Sequence, residues 1–135
     1  MFWSDAYVGL PFAKRGRSRH GLDCYGLVRL VLRDMAGLDL PRFDVWDTRE
    51  KVLARETCGM TRVARGGERA LDVVIMTADQ WRGGRWCKAP LHMGVVVARG
   101  QVLHIEEGRL SCVDNMALLD IVEIVRGPEM RRVAA

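Results

Sequence analysis

The sequence predicts an α+β domain in which N-terminal helices pack on one face of a C-terminal antiparallel sheet of about five strands. Three observations carry this. Leu27, Val28, Leu30, Val31, Leu32 and Met35 form an apolar face of helical period. From Val73 onward the apolar residues come instead in short runs rich in Val, Ile and Leu, the signature of strands. The two patterns occupy different parts of the chain, helices first, rather than alternating as a parallel α/β sheet requires. A length of 135 residues suits one domain, residues 1–135.

The elements follow in order. Trp3–Tyr7 reads as a short helix or turn. Gly9, Pro11, Gly16 and Gly21 then mark an irregular loop that carries the basic run Lys14 to Arg19, with His20 beside it. The central helix begins after Asp23, a good N-cap, and stops at Gly37. Pro41 holds Leu40 extended and prevents its continuation. A second helix is expected over residues 48–57, where Asp47 and Glu50 have capping-box spacing and Gly59 supplies a stop. Strands are expected at 73–76, 92–98, 102–106, 110–113 and 119–125. Between the first two, Thr77 to Leu91 reads as a long loop of the kind that borders a site.

Composition narrows the function. With 49% hydrophobic and 28% charged residues the chain is globular rather than disordered. A net charge of +4 is far below that of a dedicated nucleic-acid binder, and no aromatics interleave the basic run, so no nucleic-acid partner is expected. No apolar run approaches the roughly 18 residues that span a bilayer, so no membrane insertion is expected. The N-terminal residues lack a basic region followed by an apolar one, which implies synthesis in the cytoplasm without a secretion signal. Cysteines at 24, 58, 87 and 112 form no CxxC pair. Neither a zinc site, a disulfide nor any other cofactor is expected.

Cys24 stands out. Behind an Asp23 cap it occupies the first turn of a helix, where unpaired N–H groups favour an anion and draw a thiol pKa from ~8.5 towards the roughly 3.5–7.5 range of reactive cysteines. A cysteine nucleophile needs a base. His92 opens an apolar strand and His104 closes the next, so one can act as base and the other orient it. His20 reads as a solvated loop residue. Asp23 caps the helix and aims Cys24, although a carboxylate beside a thiol opposes the thiolate.

These blocks resemble those of the NlpC-type cell-wall cysteine peptidases. Gly21-Leu22-Asp23-Cys24-Tyr25-Gly26-Leu27-Val28 is similar to the family's Asp-Cys-x-Gly-Leu-Val block. His92-Met93-Gly94-Val95-Val96-Val97 is similar to its His-Val-Gly strand, and Val102-Leu103-His104 to the strand of its third polar residue. Tyr7 to Phe12 and Arg69 to Val74 match its lead-in and first-strand segments. The resemblance implies a papain-like fold and hydrolysis of amide bonds in peptidoglycan stem peptides. Cys24 is then the nucleophile, His92 the base and His104 its orienter, with Asp23 and Tyr25 as substrate contacts. The phrase Gly16 to Val28 and the later Leu40-Pro41 look most like the branch encoded by tailed phages. That branch implies incorporation into a phage-like tail, tail-tip or baseplate hub proteins as partners, and a part in genome delivery. Tyr25 stands where most cellular members have Ser, Phe12 where many have Tyr, and Leu71 where Gly is usual. A silent tail-assembly component and an acyltransferase or deamidase remain the alternatives.

The histidines pose a geometric question. They are 12 residues apart, and a plain two-residue turn at Arg99-Gly100 pairs Val95 with His104, which sends His92 to the opposite face. A direct contact needs a reversal centred on Ala98 or a bulge near Gly94 or Gly100.

Overall fold

The computed structural model describes residues 2–40 and 59–128. The helix expected over 48–57 lies outside them. The first element is a 3-10 helix at Trp3–Tyr7, followed by a small two-stranded sheet of β1 (Arg17–Ser18) and β2 (Gly21–Leu22). Helix α1 spans Cys24–Ala36, bounded as its sequence dictates. Asp23 caps its start, and Gly37, at φ 68°, takes the left-handed conformation that ends it.

Six antiparallel strands follow: β3 (Thr61–Val63), β4 (Val73–Arg82), β5 (Arg85–Ala98), β6 (Gln101–His104), β7 (Cys112–Asn115) and β8 (Ile121–Arg126). Their order in the sheet is β3-β8-β4-β5-β6-β7. The strand beyond the expected five is β3, a short and mostly exposed edge whose Thr-Arg-Val carries no apolar run. No helix among the described residues is long and apolar enough to cross a membrane.

One expectation is corrected. Thr77 to Leu91 is no loop: β4 and β5 continue as a long hairpin, paired from Ala78↔Ala89 to Arg82↔Arg85. The turn is Gly83-Gly84, with φ of 57° and 78°. Two positive φ angles in a two-residue connection match the right-handed twist of the flanking strands, which favours this Gly-Gly turn over a longer loop.

The sheet is buried on both faces, and strand alternation explains how. Val73, Met93, Val95, Val97 and Leu103 join the buried face of α1, including Leu27, Val28 and Val31, in one apolar cluster. Their neighbours Val74, Met76, Val96 and Val102 join Met116 and Ile124 in a second. The N-terminal segment is tied down by Ser111: its hydroxyl donates to the Tyr7 carbonyl (2.6 Å) and accepts from Leu10 N–H (2.8 Å).

Two residues at the entry to β4 show how the core is closed. Leu71 has φ 74° and no exposed surface. A left-handed backbone is what makes Gly the usual residue here; Leu costs about 1–2 kcal/mol in that region. Its buried side chain, and an N–H bonded to Val96 O at 2.9 Å, hold it there. Asp72, also fully buried, meets Arg126 in a bidentate pair, both bonds 2.8 Å.

That pair sets a stability test. Arg126→Ala leaves a buried carboxylate without its cation and should destabilise the fold by about 3 kcal/mol. Arg62, exposed and paired with Glu123 at 3.0 Å, is the control, and its Ala variant should cost less than about 1 kcal/mol. Urea denaturation of both variants makes the comparison, and equal costs would refute the assignment of Asp72–Arg126 as a structural bond.

Candidate active site

The site begins at the start of α1. Asp23, almost fully buried, accepts from Gly26 N–H and from the Arg17 guanidinium, both at 2.7 Å and both on Oδ1. The first bond satisfies one of the helix's orphan donors. The second places a cation against the carboxylate, which offsets its opposition to a thiolate next door. Arg17 also donates to Gly16 O at 2.8 Å, so the basic loop is stitched to the helix start. Gly26 lets this happen, because a side chain there would run into the Gly16 carbonyl. Cys24, the first residue of α1, is 6% exposed and lines a cleft.

The opposing wall comes from the β5–β6 hairpin. Ala98 pairs with Gln101 across the turn Arg99-Gly100, but Val96 pairs with Val102, so Val97 is an extra residue on β5. This bulge moves Gly94, rather than Val95, opposite His104. His92, two residues further along, therefore shares the face of His104. The irregularity expected near Gly94 or Gly100 sits at Val97, between them. Gly94 has a separate task. A Cβ there would lie 2.7 Å from Val102 Cγ1, 2.8 Å from the Leu103 carbonyl oxygen and 3.1 Å from His104 Cβ, so glycine lets β6 lie close against β5 where His104 stands.

The two rings meet at 2.8 Å, His92 Nε2 to His104 Nδ1, inclined at 66°. His104 is 1% exposed, and its other nitrogen, Nε2, lies 2.7 Å from Asp114 Oδ2 on β7. Nothing in the sequence motifs marks Asp114. The signal is only a carboxylate two residues beyond Cys112, the partner of His104 in the ladder, which places it diagonally next to that ring. The hydrogen bond from His104 holds the Asp114 carboxyl below the usual carboxylate range. Burial, and then the Asp114 charge, push the Cys112 thiol up, which keeps it protonated and inert.

The cleft has a volume of about 770 Å³ and holds Cys24 and His92 together. Phe12, Lys14, Arg15 and Asp23 from the N-terminal part, Ile105, Glu106 and Glu107 after β6, and Leu118 to Asp120 before β8 also line it. Tyr25 is not part of it. That ring is fully buried, with the Arg17 guanidinium 5.6 Å from its centroid, so it supports the helix start rather than contacting a ligand in the cleft. His20 is exposed and outside the cleft. Cys58 and the Cys87 side chain lie outside what the structure describes. Two groups, His92-His104-Glu106 and His104-Cys112-Asp114, have ligand atoms within 4.8 Å of one another. Both nitrogens of His104 already face hydrogen-bond partners at 2.7–2.8 Å, so the arrangement as it stands is a hydrogen-bonded chain from His92 to Asp114.

Comparisons with known proteins bear on the family and the fold. The model of the NlpC/P60 family matches residues 9–118. No curated protein matches the chain in sequence. Among solved structures, the NlpC/p60 domain of the peptidoglycan hydrolase SagA is similar, with 21% identity and a TM-score of 0.65 over 91% of this chain and 92% of that one. A lipoprotein-like protein of the NLP/P60 family from Staphylococcus aureus is similar at 16% identity and a TM-score of 0.63; the match covers 92% of this chain and 38% of that one.

Gly94 offers a direct test of the site's construction. Gly94→Ala forces β5 and β6 apart and should cost about 1–3 kcal/mol, the range for overpacking. It should also break the contact between the histidines, visible as changed imidazole nitrogen shifts in 15N NMR. Unchanged ring signals in a folded Gly94→Ala protein would contradict the steric reading.

Proposed function

The chain belongs to the NlpC/P60 family, and from that premise we propose that it is a cysteine peptidase acting on the stem peptides of peptidoglycan. One observation carries the reading: a helix-start cysteine and a histidine oriented by a second histidine line one cleft.

In this reading His92 takes the proton of Cys24 as the sulfur attacks the substrate carbonyl. The backbone N–H groups at the start of α1 are the donors nearest the developing oxyanion. Phe12 lines the cleft without the hydroxyl a Tyr would bring, so in this reading the backbone donors act without it. As the tetrahedral intermediate collapses, the C–N bond breaks and the leaving amine takes the proton from His92. Water, deprotonated by His92, then hydrolyses the thioester and restores the thiol. The cleft lining carries the cations Lys14 and Arg15 and the carboxylates Glu106, Glu107 and Asp120. A peptide with both free carboxylates and a free amine, such as a stem peptide, suits such a lining. Asp23 borders the same space but is engaged by Gly26 N–H and Arg17, so its part is to set the helix start, and Tyr25 does not reach the cleft.

The finer placement, in a phage-like tail with tail-tip proteins as partners, rests on the resemblance of Gly16 to Val28 and of Leu40-Pro41. It is part of the proposal and carries no weight in the chemistry.

Mass spectrometry of defined muropeptides incubated with the protein tests the activity. New products with free amino ends are expected. Cys24→Ala should abolish them while changing stability by less than about 2 kcal/mol. Undiminished cleavage by that variant would remove Cys24 as the nucleophile, and no cleavage of any muropeptide by the wild type would favour the silent-scaffold alternative.

A further inference from the structure

A histidine base works only in the right tautomer, and the chain of contacts behind His92 determines which one it adopts. Asp114 is the end of that chain. An ionised carboxylate only accepts hydrogen bonds. The 2.7 Å contact with Asp114 Oδ2 therefore requires the proton of neutral His104 to sit on Nε2. His104 Nδ1 is then bare and accepts. At 2.8 Å from it, His92 Nε2 must carry the proton of neutral His92 and donate it. The nitrogen of His92 left without a proton is Nδ1.

We propose that Asp114 is a positioning residue that sets the tautomer of His92 through His104, so that His92 presents a bare Nδ1 to the thiol of Cys24. The inference deepens the reading of Cys24 and His92 as nucleophile and base and rests on it. When Nδ1 takes the thiol proton, the charge of the His92 imidazolium is shared along two short hydrogen bonds that end on a carboxylate. No proton needs to move beyond His92, and Asp114 stays ionised throughout.

The surroundings favour Asp114 over other groups for this task. Glu106 is the other carboxylate near His104, but its Oε1 lies 3.7 Å from Nδ1, too far for a hydrogen bond, and its side chain is 46% exposed. Asp114 is also approached by the Cys112 thiol at 3.6 Å, and Arg109 and His104 both favour its charged form. Burial strengthens the control. With 1% of its surface exposed, His104 has little access to water that could satisfy the alternative tautomer.

The chain has three histidines, so 15N spectra of histidine-labelled protein resolve each ring. At a pH where the rings are neutral, wild type should show protonated Nε2 and bare Nδ1 on both His92 and His104. Asp114→Ala and Asp114→Leu, the second retaining the shape without either acceptor, should shift both rings towards the other tautomer. Each should lower kcat on muropeptides about 10- to 100-fold, the loss typical when the outer hydrogen-bond partner of a metal-bound histidine is removed, with KM within about twofold. Cys24→Ala should abolish hydrolysis and keep the wild-type ring pattern. Wild-type tautomers in the Asp114 variants, or shifted tautomers with unchanged kcat, overturn the role of Asp114. Hydrolysis by Cys24→Ala overturns the reading of Cys24 as nucleophile instead, and the ring pattern still decides the tautomer claim.

Discussion

The site depends on the register of one hairpin. Strand side chains alternate faces, so a regular two-residue connection at Arg99-Gly100 would place His92 and His104 on opposite sides of the sheet. A single extra residue, Val97, reverses that outcome. The bulge is held from outside the hairpin. Val96 N–H donates to Asp72 O at 2.8 Å and Val96 O accepts from Leu71 N–H, so the strand just before Val97 is fixed to the entry of β4. The left-handed Leu71 and the buried Asp72–Arg126 pair are thus linked, through two backbone bonds, to the contact between the histidines.

The other wall follows an equally local logic. A carboxylate is the right cap for α1 and, taken alone, the wrong neighbour for a thiolate. Arg17 resolves the conflict with a second hydrogen bond on the same oxygen that caps the helix. The basic loop therefore divides its labour. Arg17 neutralises Asp23, Arg19 lies over the Tyr7 ring at 4.8 Å and reaches Ala6 O, and Lys14 and Arg15 line the cleft. Substituting Arg17 and substituting Lys14 are consequently different experiments, although a sequence reading treats both as one charge run.

Much of this was legible in the sequence, and the parts that were not share a cause. The caps Asp23 and Gly37 are local chemistry and mark α1 to within a residue. The five strands with Val, Ile and Leu runs were placed by composition and period. The β4–β5 extension was misread because Trp81, Gly83, Gly84 and Pro90 suggest a loop one residue at a time. The Gly-Gly turn is a hairpin signal only when the flanks are allowed to pair. The need for an irregular β5–β6 hairpin could be deduced by counting, but its position at Val97 depends on contacts with residues 71 and 72, far away in sequence. Asp114 is marked only by the pairing of β7 with β6, and Tyr25 is kept from the cleft by the burial of its helix face. Local rules find caps and periods; they do not find diagonal neighbours.

The central claim is that His92 activates Cys24, and the rate of iodoacetamide reaction at Cys24 against pH tests it most directly. An ordinary thiol, with a pKa of ~8.5, is almost wholly protonated at pH 6 and reacts slowly there. The account predicts fast labelling of Cys24 at pH 6 in the wild type, well ahead of Cys112, and loss of that advantage in His92→Ala. Labelling of Cys24 that rises only around pH 8–9, with the same profile in both proteins, would contradict it.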